Sequence, residues 1–477
     1  MAFKDVMALR KEGKVDEALA LARADVQNNR DKWSCNALFW ALRDKCQQLV
    51  QAGDTAQAQP LTTQMEQLLP ELDDTDEVAR KSLNALKYAT VPHLKELLEA
   101  RDLARDPGTA AQAFATVDAI VNASPDAVPL GRTRQAMAGW IIIDYLKHGM
   151  DSLPAASLKK ALATYLKLDR VERPGALHSQ ALYQALALKA KHPDQFDFDK
   201  FMLLWGPDNF TLEDWQGRTD EQGKHYASMA QRAVTRQVAD RRGPDKDRPL
   251  GPELEAMVER VVKADPAGTD HLKRQLAIEY RLTGRTAKAL AAYKRLALTM
   301  GNHDYVWREL AALLPDGPEQ AGALCKALLL NHADRYSAGT RIKLAALLIA
   351  AGDHAAALAE LNHARRVLES DGRQPGQRFS SLMAQIPAGT VAAADNRPLY
   401  ARLAQHIDAA VTAAQPVTQG VVTLRTNRRG EPYAIVGDCY LSKKLLAGIP
   451  GGATVAVRYV EQGGKRRAVS VTLVPQP

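Results

Sequence analysis

The sequence predicts a mainly α protein, a solenoid of paired helices that ends in a small five-stranded β-barrel. A pattern of Gly, four residues and Ala-Leu recurs along the chain, and after Gly420 the apolar spacing changes from helical to alternating. Composition agrees: alanine and leucine dominate and aromatics make up only 6% of 477 residues, which suits helices packed through small side chains.

The repeat is clearest in YRLTGRTAKALAAYKRL around Gly284 and LLIAAGDHAAALAELNHA around Gly352, 68 residues apart, or twice 34. Between them, Gly317 in PDGPEQAGALCKALL supplies a degenerate middle copy, with Gly322 where the others have Ala289 and Ala357. Glycine ends one helix by taking a left-handed cap without a Cβ clash, and the small residue five positions later lets the returning helix approach closely. This spacing resembles the tetratricopeptide repeat. Tyr280 and Leu348 stand for its large residue before the turn, and Tyr293 and Leu361 for the large residue after the small one, while its closing proline is missing.

The N-terminus carries the same device at Gly13 with Ala18-Leu19 and at Gly53 with Ala58, spaced 40 apart, which implies an irregular repeat or a longer helix pair. Amphipathic helices without a regular period follow from about 78 to 190. The stretch 192–217 gathers Phe196, Phe198, Phe201, Trp205, Phe210 and Trp215, read as a structural joint or, alternatively, a partner-binding patch. A Pro, Gly and charge cluster at 240–252 reads as an exposed loop. The resulting division is an irregular helical-repeat region over 1–250, regular repeats over 251–412, a linker over 413–419 and a barrel over 420–477.

The tail reads GVVTLRTN, PYAIVGD, CYLSKKLLAGI, ATVAVRYVEQ and RRAVSVTLV, five short runs with turn residues between them, which suit a barrel of the OB type. It is similar to cold-shock domains in Gly420-Val421-Val422, Tyr433 to Val436, Asp438 to Ser442 and Gly464 to Val469, all in the family's order. The resemblance implies binding of single-stranded RNA or DNA by base stacking on Tyr433 and Tyr440. Ile435 and Ser442 stand where the family has an aromatic and a histidine, so charge has more to supply. The candidate phosphate contacts are Arg425, Arg428, Arg429, Lys443, Lys444, Lys465, Arg466 and Arg467. From Pro416 onward nine Lys or Arg stand against three acids, so this tail holds +6 of the net +8.

Other chemistry is not indicated. The phosphate-loop, dinucleotide, HExxH and Gly-x-Ser-x-Gly signatures are all missing from the sequence. Asp197 and Asp199 have no readable third ligand, and His225, His303 and His332 stand alone, so neither a metal nor a cofactor is expected. Cys35, Cys46, Cys325 and Cys439 form no CxxC pair and read as buried thiols of a reduced compartment. MAFKDVMALRKEGK lacks the apolar run of an export signal, and the longest apolar run, Leu344 to Ala351, is too short to span a bilayer.

These readings converge on a non-enzymatic, cytoplasmic adaptor. Its solenoid grips a protein partner on the concave face and its barrel holds single-stranded nucleic acid. The architecture resembles accessory components of bacterial conflict and phage-defence gene clusters. Two alternatives are a purely protein-binding scaffold whose barrel docks or dimerises, and an enzyme with its site in 150–252.

Overall fold

The structure is a computed structural model that describes residues 3–72, 77–123, 130–244, 246–331, 334, 336–426, 430, 432–446, 448–462 and 465–474. Four of its helix hairpins share one turn. At Gly13, Gly53, Gly284 and Gly352 φ lies between +73° and +80°. The N–H of the next residue then reaches back five positions, from Lys14 to Leu9 (3.0 Å), Asp54 to Leu49 (2.9 Å), Arg285 to Tyr280 (2.8 Å) and Asp353 to Leu348 (2.9 Å). This bond satisfies a carbonyl that the helix end leaves open, and it needs a residue without a Cβ at the bend. Asp54 and Asp353 go on to cap the returning helices by accepting from Gln57 and Ala356 N–H, each at 3.1 Å. The small residues that follow, Ala18, Ala58, Ala289 and Ala357, are fully buried where the helices meet.

The wider spacing at the N-terminus comes from a longer helix. Lys32–Gln51 has 20 residues, against 13 in Asp270–Leu282 and in Ala338–Ala350. The middle copy departs from the shared turn. Gly317 is the N-cap of helix Pro318–Leu330 rather than the end of Asp304–Ala311. The preceding helix end is closed instead by Gln320 Nε2, which donates to the carbonyls of Ala311 and Leu314 at 3.1 Å each. Gly322 also has its own reason: a Cβ there would lie 2.5 Å from the Leu403 carbonyl oxygen, so its absence lets helix Arg397–Thr412 pack close.

The chain divides into two compact units, Met1–Glu213 and Asp214–Pro477; position 250 lies within the second. In the first, Phe196, Phe198, Phe201, Trp205 and Phe210 are all buried. His178 is stacked on Trp205 (centroids 4.6 Å apart, 6° between planes), and the two residues exchange hydrogen bonds. His178 Nε2 donates to the Trp205 carbonyl and Trp205 Nε1 to the His178 carbonyl, each at 3.0 Å. Asp197 caps helix Phe198–Trp205 by accepting from Lys200 N–H at 2.9 Å.

The second unit opens with a short hairpin of β1 (Arg218–Thr219) and β2 (His225–Tyr226). Three hairpins follow, turning at Gly284, before Gly317 and at Gly352, and every regular element among the described residues of 256–412 is a helix. Their shared core includes Tyr293, Trp307, Leu344 and Leu361.

The tail forms one sheet of β3 (Val417–Val421), β4 (Thr423–Thr426), β5 (Pro432–Val436), β6 (Cys439–Leu441), β7 (Thr454–Gln462) and β8 (Lys465–Leu473), ordered β3-β7-β8-β6-β5-β4. The strand count is six rather than five, because the run GVVTLRTN is interrupted at Val422. That residue is buried; its N–H still bonds the Ala453 carbonyl (3.0 Å), the next position of the β3–β7 register, but its C=O accepts from the Gly452 N–H (2.9 Å), one residue out of register, and the ladder ends there. The third run is mostly not strand: after Leu441 it becomes a 3-10 turn, Lys443–Leu446. Since β3 and β4 are neighbours in sequence yet lie at opposite ends of the strand order, the sheet curls on itself. Gly420 sits on its inner face, where a Cβ would lie 3.0 Å from Val436. Ala434, Val436, Cys439, Leu441, Val455, Val457 and Ala468 fill the inside together with Val422.

Candidate nucleic-acid interface

Alternation sorts the sheet's side chains. On β5 and β6, Ala434, Val436, Cys439 and Leu441 point inward, which puts Tyr433, Ile435 and Tyr440 on the outer face. Tyr440 lies opposite Ile435, one pleat from Tyr433, and the two phenol rings are 5.4 Å apart at 32°. Tyr440 is 45% exposed and Tyr433 half-buried.

Each tyrosine has an arginine directly across from it. Arg425 on β4 is paired with Tyr433, and Arg467 on β8 is paired with Tyr440 across the parallel contact. Both arginines are exposed, as is Lys465, and none of the three makes an ion pair among the described residues.

Arg466 is placed differently. One strand position away, it falls on the inward side at the sheet's end, where it bonds Glu461 (3.1 Å) and Asp438 (3.2 Å) and lies over the Tyr459 ring (4.8 Å). The Glu461 hydrogen bond and the Asp438 charge hold its guanidinium above the usual value. Arg458, counted with the basic tail, donates to the carbonyls of Ala413 (2.8 Å) and Gln415 (3.1 Å) and so closes the end of the preceding helix. Lys443 and Lys444 lie on the 3-10 turn, with side chains outside the description, and Arg428 and Arg429 lie outside the described residues, as does His332.

A second polar constellation, invisible as a sequence pattern, lies among the hairpins. Glu360, 1% exposed, accepts from Arg341 Nη1 (2.9 Å), from Asn396 Nδ2 (2.6 Å) and from the Tyr400 hydroxyl. Arg341 also donates to Ser337 Oγ (3.1 Å) and Asp334 (3.0 Å), and His363 Nε2 donates to Asp334 at 2.7 Å. Burial and then the Glu360 charge push the Tyr400 hydroxyl far up. These groups satisfy one another and tie three helices together, lining a cavity of about 800 Å³. His225 stands 3.1 Å from the Asp265 carboxylate. Among the described residues no group of three or more His, Cys, Asp or Glu is placed to hold a metal. All four cysteines are buried and free.

Fold and face together define a helical-hairpin protein with a basic, curled C-terminal sheet. A family model described as "Domain of unknown function (DUF7017)" matches residues 271–406, the span that contains the Arg341–Glu360 cluster. No curated protein matches. Among solved structures the chain is similar to "Structure of Naa15/Naa10 bound to HypK-THB" at 11% identity and a TM-score of 0.25, over 84% of this chain and 74% of that one. Among the described residues no helix is long and apolar enough to cross a membrane.

Proposed function

We propose that this protein is a non-enzymatic adaptor that binds a protein partner through its helical part and single-stranded RNA or DNA through an OB-type barrel. The single observation that carries the nucleic-acid reading is the outer face of β4, β5, β6 and β8, where two adjacent tyrosines each have in register an arginine that makes no ion pair among the described residues. Rings accept base faces, each stacked base contributing about 1–3 kcal/mol, and neighbouring guanidinium groups take the phosphates. The barrel reading is supported by strand order. If β3 and β4 are one strand bent at Val422, the order closes on itself, with a single parallel pair between β6 and β8, as an OB barrel requires.

The test is a fluorescence-anisotropy titration of full-length protein with labelled fifteen-residue oligo-dT and oligo-U. Binding is expected with both, and replacing Tyr433 and Tyr440 together by Ala should weaken it at every salt concentration. A folded protein that binds neither oligonucleotide at low salt would point instead to the purely protein-binding scaffold.

A further inference from the structure

An exposed strand edge offers N–H and C=O groups to any chain able to lie beside it, so edges are normally covered or blunted. β7 has an edge that is only partly covered. Its ladder with β3 ends where Tyr459 N–H donates to the Pro416 carbonyl at 3.1 Å. Proline has no N–H to return, so the Tyr459 carbonyl receives nothing from it. By the alternation of an antiparallel ladder, the N–H and C=O of Glu461 point to the same side, beyond the start of β3 at Val417. Among the described residues Glu461 makes no backbone hydrogen bond there.

This edge faces a cavity of about 860 Å³ bounded by residues 414–416 and by helices Pro252–Ala264, Asp270–Leu282 and Thr286–Thr299. Val262, Leu276, Leu296 and Leu298 form its apolar wall, and Lys273 and Arg295 are its cations. Lys273 pairs with Asp270 at 2.9 Å, whereas Arg295 is exposed and makes no ion pair among the described residues.

From this geometry we infer that an extended, acidic and apolar peptide segment of a protein partner docks in the cavity by adding as a strand to the 459–461 edge. Backbone groups supply the register, alternate apolar side chains meet the leucine wall, and an acidic residue meets Arg295. A nucleic acid fits less well. The two aromatic rings in the cavity, Tyr459 and Tyr280, each already have one face taken by an arginine, Arg466 (4.8 Å) and Arg285 (4.7 Å), which leaves at most one face apiece for a base. The site is independent of the tyrosine face and stands whether or not the sheet binds oligonucleotides.

The experiment is to pan random twelve-residue phage-displayed peptides against immobilised full-length protein and to measure the enriched peptides by anisotropy. Enriched sequences should alternate apolar residues with at least one acid. Their affinity should fall at least tenfold on Glu461→Pro, which removes the edge N–H, and on Ala292→Trp, which fills the cavity. Glu461→Ala keeps the N–H and should bind at least ten times tighter than Glu461→Pro. N-methylation of peptide residues that face β7 should abolish binding to the unaltered protein, a readout that needs no variant to fold. Failure of any peptide to enrich, equal binding by Glu461→Pro, or tolerance of N-methylation at every position would overturn the proposal. So would oligonucleotide binding that Ala292→Trp weakens while peptides do not bind.

Discussion

Five aromatic rings between Phe196 and Phe210 are buried, whereas Tyr433 and Tyr440 stand half-buried and exposed on the outside of a sheet. The dense cluster closes on itself: Trp205 and His178 consume each other's polar atoms, and Lys189 donates to the carbonyls of Pro193 (2.5 Å) and Phe196 (2.8 Å). The sparse pair stands on the outer face of the sheet, each ring across from an exposed arginine that makes no ion pair among the described residues. Aromatic density in a sequence therefore marks a core. The candidate face is set apart by aromatic residues on the outward parity of their strands, each with an arginine across the ladder.

Truncation should separate the two regions most sharply. Trp205→Ala removes a fully buried ring and should cost about 3–5 kcal/mol in urea unfolding, while oligonucleotide binding by the remaining folded protein stays unchanged. Weakened binding in that variant would mean that the buried cluster also contributes to the face.

Overpacking gives a smaller effect. Ala357→Phe forces a ring into the fully buried hairpin contact and should cost roughly 1–3 kcal/mol; a melting temperature equal to the unaltered protein's would remove the close helix approach from the account.

The smallest effect is on acid stability. Burial pushes the Asp334 carboxyl up, but hydrogen bonds from Arg341 and His363 outweigh it and hold the group below the usual carboxylate range. A carboxyl depressed in the folded state adds stability above its unfolded pKa of about 3.9, and loses it as pH falls through the folded value. Asp334→Asn should therefore lower stability near neutrality and flatten its decline on the acid side, as read by urea midpoints across pH.

The hairpin turns were legible because one backbone conformation imposes glycine and one close helix approach imposes a small residue, both at fixed spacing. Gly317 matched the spacing but not the geometry, since a proline after it starts the next helix and Gln320 closes the previous one. The sheet was legible from alternation, apart from the break at Val422, which arises from the out-of-register bond to Gly452 some thirty residues away. Arg466 and Arg467 look alike in the run KRR, and only strand parity with the register against β6 separates an ion-paired arginine from an open one. The Arg341–Glu360–Asn396–Tyr400 cluster was not legible at all. Its members come from three helices, and no local pattern links them.

The salt dependence of oligonucleotide binding by full-length protein and two single variants tests the central claim most directly. Removing one phosphate interaction with a single strand should flatten the log-log slope by about 0.7. Arg467→Gln should show that change, whereas Arg466→Gln, already engaged by Glu461 and Asp438, should leave the slope near that of the unaltered protein. Equal slopes for Arg467→Gln and the unaltered protein, or flattening only by Arg466→Gln, would contradict the assignment of this face.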